Sequence, residues 1–237
     1  AAEWSSVDAR AAHNRRMNER ALIRRPGPRL ADGLLTHLGR WPIDVDLALA
    51  QWEGYAACLR SAGWETIEVP GAEDCPDAVF VEDAVVMFDD LAVLTNPGAA
   101  ERKPEVAGVA EAISGLGLES VRISGEGTLD GGDVLKVGRT AYVGLGGRTN
   151  GAGIQQLADH VRDRDWTVQA VTVERALHLK SAVTALPDET VIGWDPVVDW
   201  PGAFPRYEGM PEEGGAHVVI LGEGHLLMAA SAPRTAE

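Results

Sequence analysis

Short apolar runs separated by polar turns recur along the chain. Ala84–Phe88 and Leu91–Thr95 flank Asp89-Asp90 and predict a β-hairpin. A helix opening at Pro104 and reaching about Ser114 follows, then a strand near Ser120–Ile123. Val134–Val137 and Thr140–Val143 flank Gly138-Arg139 as a second hairpin. Asn150 can cap a helix to about Asp163, and Thr167–Val173 reads as a strand. A third hairpin is expected at Val183–Leu186 and Thr190–Gly193, around Pro187-Asp188. A fourth is expected at His217–Leu221 and His225–Met228, around Gly222–Gly224, with a last helix starting near Pro233. Upstream, Asp44 can cap a helix over Val45–Ser61, in which Leu47, Leu49, Ala50, Tyr55 and Cys58 lie roughly on one side. Gly63 ends it, and Glu65–Val69 alternates like a strand.

The repeating unit is thus strand, turn, strand, helix, strand. The first three hairpin turns fall near positions 89, 138 and 187, a spacing of about 49 residues that suits propeller-like or stacked repeats. Residues 1–16 are polar and aperiodic and read as an extension or tag-like arm before Met17. Residues 17–237 read as a single α/β domain with no low-complexity linker.

Charge narrows the range of partners. With 21 basic and 36 acidic side chains the net charge is −15, which disfavours nucleic acid and anionic membrane surfaces. No apolar stretch approaches the roughly 20 residues of a spanning helix, and the first 16 residues lack a secretory signal's apolar segment. The two cysteines, Cys58 and Cys75, are too few for a disulfide framework and have no metal-ligand spacing, so a reducing cytoplasm is expected.

Polar residues stand at the same point of successive units. Asp77, Glu82 and Asp83 precede the first hairpin in PDAVFVED; Asp130 and Asp133 precede the second in TLDGGDVL; His178 and Lys180 precede the third in LHLKS. The separations Glu82 to Asp130 and Asp130 to His178 are both 48 residues. Units arranged around an axis would bring these loops together at one end. Carboxylates so gathered repel one another unless a cation sits among them. A hard metal ion is one such cation, although neighbouring carboxylates 82 and 83 in a strand would point to opposite faces. A planar guanidinium, with five donors that carboxylates receive bidentately, matches better. Taken singly, each acid also reads as a surface acid of an acidic protein. His178, between two leucines, reads as a core histidine or, beside Lys180 and in register with the acids, as a general acid–base. Arg102 and Arg148 are loop arginines able to pin a substrate carboxylate. His37 is a second-rank candidate with a structural use favoured, and His13, His160, His217 and His225 have weaker claims. Neither Gly131-Gly132 nor Gly144–Gly147 forms a phosphate loop.

In this order and spacing, PDAVFVED, TLDGGDVL, RTN and LHLKS resemble the dimethylarginine dimethylaminohydrolases, members of the pentein group of guanidine-modifying enzymes. The resemblance runs from about Ile23 to Glu237. It implies a pentein α/β propeller of five pseudo-symmetric ββαβ repeats around an axial active site, the last repeat incomplete in this chain. It also implies catalysis without cofactor or metal. Carried over, Asp77, Glu82 and Asp83 surround the substrate guanidinium, and Asp130 holds substrate and histidine. His178 protonates the departing amine and later activates water, and Arg102 and Arg148 bind the amino-acid carboxylate. Asp32-Gly33-Leu34 looks like the family's lid, with the Leu34 backbone near the substrate amino group. The family's nucleophile is a cysteine near the C-terminus, beyond Glu237 in this numbering. Cys58 reads as core and Cys75 as a pocket-edge residue, so the nucleophile-bearing tail is expected to lie outside this sequence.

The reaction so implied is hydrolysis of asymmetric dimethylarginine or monomethylarginine to citrulline plus an amine. The alternatives are deiminase-type chemistry on free arginine and a non-catalytic guanidinium binder. The partner is a small-molecule substrate. Were residue 237 the real end, a propeller edge left unpaired there would favour instability or a homodimer.

Overall fold

The structure, a computed structural model, describes residues 19–34, 42–222 and 224–236. The arm 1–16, with His13, and His37 lie outside the described residues. Strand β1 (Arg20–Ile23) pairs in parallel with β2 (Glu65–Glu68), the two being linked through helix α1 (Val45–Ser61). Asp44 caps α1 as expected, its carboxylate accepting from the Leu47 amide at 3.0 Å. The buried face of α1 differs from the sequence reading. Ala56 and Leu59, with Trp52 beside them, pack on Ile23 and Trp64, whereas Leu47, Tyr55 and Cys58 are exposed. Positions 52, 56 and 59 keep helical spacing and point at the β1–β2 sheet. That sheet, rather than local hydrophobicity, selects the face.

Three further sheets repeat one topology. In the first, β3 (Val85–Phe88) is antiparallel to β4 (Leu91–Leu94); α2 (Glu105–Gly115) then returns the chain so that β5 (Glu119–Arg122) lies parallel to β4. In the second, β6 (Val134–Val137), β7 (Thr140–Leu145), α3 (Gly151–Val161) and β8 (Thr167–Thr172) do the same. In the third, β9 (Val183–Ala185), β10 (Val191–Gly193) and β11 (Tyr207–Gly209) keep the strand pairing. The helix expected in that unit is replaced by 3₁₀ turns at Asp195–Val197 and Pro201–Ala203. Pro196, Pro201 and Pro205 fall inside the connection, and each removes a helical amide donor. The fourth hairpin, β12 (Val218–Gly222) and β13 (His225–Met228), leads to α4 (Pro233–Ala236).

Hairpin turns need a left-handed residue, supplied by Asp89 (φ 56°), Gly138 (φ 54°) and Glu189 (φ 68°). Only Gly138 adopts it without steric cost. Asp89 is held by Arg139 and by Trp166 Nε1 at 3.1 Å.

Alternate residues of each strand face different cores. Along β4, Leu91 and Val93 join Phe88, Leu129 and Val143 in the core between the first two ββαβ units. Ala92 and Leu94 turn to Val106 and Val109 of α2. On β7, Ala141 and Val143 face that same core, while Tyr142 faces Val183, Val191 and Phe204 of the third unit. A strand buried on both faces is an unbroken apolar run rather than an alternation, as the sequence showed at β3 and β4. The architecture is mixed α/β. Among the described residues no helix is long and apolar enough to cross a membrane.

Candidate functional site

A single 3₁₀ turn precedes each of the first three repeated hairpins: Val81–Asp83, Gly131–Asp133 and Leu179–Ser181. Glu82 and Asp83 lie on the first turn, Asp130 immediately precedes the second, and His178 immediately precedes the third. These turns pack on one another, so residues 48 apart in sequence become neighbours. Glu82 and Asp83 therefore sit on a turn, not on the strand expected from the sequence. Asp83 is buried, whereas Glu82 is exposed and accepts from Lys180 Nζ at 2.8 Å.

A cavity of about 600 Å³ opens over the turns, within the size range of small-molecule sites. Asp77, Glu82, Asp83, Arg102, Arg148 and His178 line it, together with Leu34 and the apolar rim residues Ile43 and Phe80. The Leu34 amide donates to Asp77 Oδ2 at 3.0 Å, fixing that segment at the cavity edge.

His178 is 7% exposed. Its Nε2 lies 3.8 Å from Asp83 Oδ1 and 3.9 Å from Asp130 Oδ2, too far for hydrogen bonds. Its Nδ1 is 3.4 Å from Asp133 Oδ2 but lacks hydrogen-bond alignment and has no hydrogen-bond partner. Burial pulls the imidazole pKa down; the carboxylates of Asp133, Asp83 and Asp130 outweigh it, and the pKa is raised.

The two neighbouring carboxyls are pushed apart in acidity. Burial works to raise Asp83, but His178, Arg102 and the Gly132 amide at 2.7 Å hold it below the usual range, so it stays ionised. Burial and the nearby Asp83 charge raise Asp130, although its Oδ1 accepts from the Gly98 amide at 2.8 Å. Two carboxyls in one site with opposed shifts suit one fixed anion and one group able to carry a proton.

Several groups that the sequence left without a role support the site. Asp133 accepts from Thr149 Oγ1 at 2.6 Å and from the Leu179 amide at 2.9 Å, which ties it to the turn that carries His178. Thr149 Oγ1 in turn accepts the Asp130 amide at 3.0 Å. The D-G-G-D spacing was the available signal, because one 3₁₀ turn brings positions three apart onto one side. His217 also reaches the cavity wall, with Nε2 2.9 Å from the Ser181 carbonyl.

Two expectations are corrected. Arg102 is not an exposed loop arginine. It is 4% exposed and donates to Asp83, to both oxygens of Glu105 and to the carbonyls of Asp77 and Phe80. Arg148, 3.4 Å from Asp130 Oδ2, is less enclosed. The cysteines also differ: Cys58 is exposed rather than core, and Cys75 is buried away from the cavity wall rather than at its edge. Burial and the Glu105 charge push the Cys75 thiol up, the wrong direction for a nucleophile.

Residues 102–226 match the arginine deiminase family model. The chain is 58% identical over 220 residues to an N(G),N(G)-dimethylarginine dimethylaminohydrolase of Streptomyces coelicolor, covering 93% of this chain and 85% of that protein. It is 32% identical to the enzyme of the same name from Pseudomonas aeruginosa, covering 93% of this chain and 88% of that protein. A solved structure of a cysteine-to-serine mutant of the Pseudomonas aeruginosa protein, complexed with citrulline, superimposes with a TM-score of 0.83 at 31% identity. That match covers 92% of this chain and 86% of the other.

Proposed function

The chain belongs to the dimethylarginine dimethylaminohydrolase family, and we propose that it hydrolyses asymmetric dimethylarginine and monomethylarginine to citrulline, releasing dimethylamine or methylamine. The observation that carries this reading is the convergence of an ionised Asp83 and of His178 on the wall of one cavity, with Asp130 buried beside them. Asp83, with Asp77 and Glu82 beside it, offers the guanidinium planar, charge-assisted acceptors. Arg148 and Arg102 both line the cavity, and we assign them to the substrate carboxylate.

In the reaction, a thiolate adds to the guanidinium carbon and the amine leaves with the proton supplied by His178. A water, deprotonated by His178, then adds to the thiouronium carbon, and the C–S bond breaks to give citrulline and the free thiolate. Cys58 and Cys75 both lie off the cavity wall, so neither is assigned as that thiol. No cofactor or metal enters this scheme. The finer architecture we propose is five such units around an axis, with the cavity at one end of it; a cytoplasmic location and a homodimer belong to the same proposal.

The test measures citrulline and amine release by the natural polypeptide, with asymmetric dimethylarginine and arginine in parallel. Citrulline with dimethylamine is the expected result. Ammonia from arginine alone would move the chain to deiminase chemistry, consistent with the family model matched by residues 102–226. Tight binding of both without product would make it a guanidinium-binding protein.

A further inference from the structure

Beneath the cavity, Asp83 and Arg102 continue into a buried charge network whose other members, Glu105 and Arg24, the proposed chemistry does not use. Glu105, the first residue of α2, is 1% exposed, and Arg24 on the β1 side is equally enclosed. Glu105 takes Arg102 in a two-pronged grip: Nε donates to Oε1 at 3.0 Å and Nη2 to Oε2 at 2.8 Å. Arg24 closes the base of the network, donating to the carbonyls of Glu105 at 2.9 Å, Ala78 at 3.0 Å and Pro70 at 2.9 Å. The remaining arm of Arg102 reaches Asp83.

Two arginines and two carboxylates sum to no net charge, yet burial still lowers the pKa of Arg24 and raises that of Glu105, so the desolvation penalty is not fully offset. A fold needing only stability gains little from such a set, because apolar residues of similar volume would serve as well. The geometry does have one consequence at the cavity. A planar fork gripped on one side by Glu105 presents its other arm in a single orientation, which fixes Asp83 Oδ2. Oδ1 is fixed separately by Gly132. Asp83 thus meets an incoming guanidinium already oriented and ionised.

We infer that Glu105 is a positioning residue for guanidinium recognition, acting on Asp83 through Arg102. The inference rests on the methylarginine reading above. It predicts a selective defect: losing Glu105 weakens cationic guanidinium ligands more than uncharged ureido ligands that share the same amino-acid end. A merely structural role would weaken both alike.

The experiment is calorimetric binding of asymmetric dimethylarginine and of citrulline to the wild type, Glu105→Gln, Asp83→Asn and the double variant, with thermal unfolding recorded for each. Glu105→Gln should weaken asymmetric dimethylarginine roughly tenfold and citrulline less than about threefold, the scale of one lost charged contact. In the Asp83→Asn background the same substitution should change little, because its route to the ligand is gone. Should Glu105→Gln not fold, Glu105→Asp keeps the charge but cannot span both contacts, and should show a smaller loss of the same selectivity. Equal losses for both ligands, or an undiminished effect without Asp83, would overturn the inference alone. A wild type that binds neither ligand would overturn the methylarginine reading and this inference with it.

Discussion

Substituting alanine for Gly132 tests whether the site depends on close approach between two turns. Gly132 has no left-handed backbone, so the added methyl meets its neighbours rather than strain in its own residue. A Cβ there would lie 2.6 Å from Asp83 Oδ1 and 3.0 Å from His178 Cγ and Cδ2. Relaxing the first contact to about 3.4 Å requires the carboxylate to retreat about 0.8 Å. The Gly132 N–H···Oδ1 bond starts at 2.7 Å, and that retreat carries it to the limit of hydrogen bonding. Asp83 cannot follow freely, because Arg102 holds its other oxygen. Losing one charge-assisted bond is worth about 1.5–3 kcal/mol, and overpacking adds about 1–3 kcal/mol of destabilisation. Affinity for asymmetric dimethylarginine should fall about tenfold to a hundredfold in calorimetry, with a reduced midpoint in urea. Binding within about twofold of wild type, with stability unchanged to about 0.5 kcal/mol, would refute this account of the turn contact.

Arg148→Ala should weaken ligands bearing a free α-carboxylate about tenfold while sparing their decarboxylated analogues, read by competition binding; equal losses would remove Arg148 from that role. Leu129, fully enclosed between the first two ββαβ units, should cost about 2–5 kcal/mol on truncation to alanine, measured by chemical unfolding, and a loss under about 1 kcal/mol would contradict the packing described. The pH dependence of stability follows from His178, whose raised pKa means that its protonated form stabilises the fold. That contribution is complete below the unfolded value of about 6.5 and is lost as pH rises through the folded value. The stability advantage of wild type over His178→Gln should therefore be largest near about pH 6 and shrink toward about pH 9; thermal unfolding across that range decides, and an advantage growing with pH would refute the sign.

Much of this protein was legible in its sequence, and the physical reason is local. Hairpins at 85–94 and 134–145 announce themselves because an apolar run broken by Asp-Asp or Gly-Arg has few other ways to fold. Caps at Asp44 and Asn150 depend on a side chain and an amide three residues away. The 48-residue recurrence of Glu82, Asp130 and His178 was visible because a repeated unit places equivalent residues at equivalent turns. Tertiary structure alone decided the rest. Which face of α1 is buried depends on the sheet beneath it, and helix periodicity leaves several faces open. The absence of a helix between β10 and β11 reflects prolines acting within a connection whose strands were already placed. Arg102 reads as a loop arginine until Glu105, Asp83 and two carbonyls close on it. The same holds for protonation: Asp83 and Asp130 are the same residue type, and only burial and neighbouring charge drive their acidities in opposite directions. Sequence carries residue type and spacing along the chain; desolvation and contact between segments far apart in sequence come into being only when the chain packs.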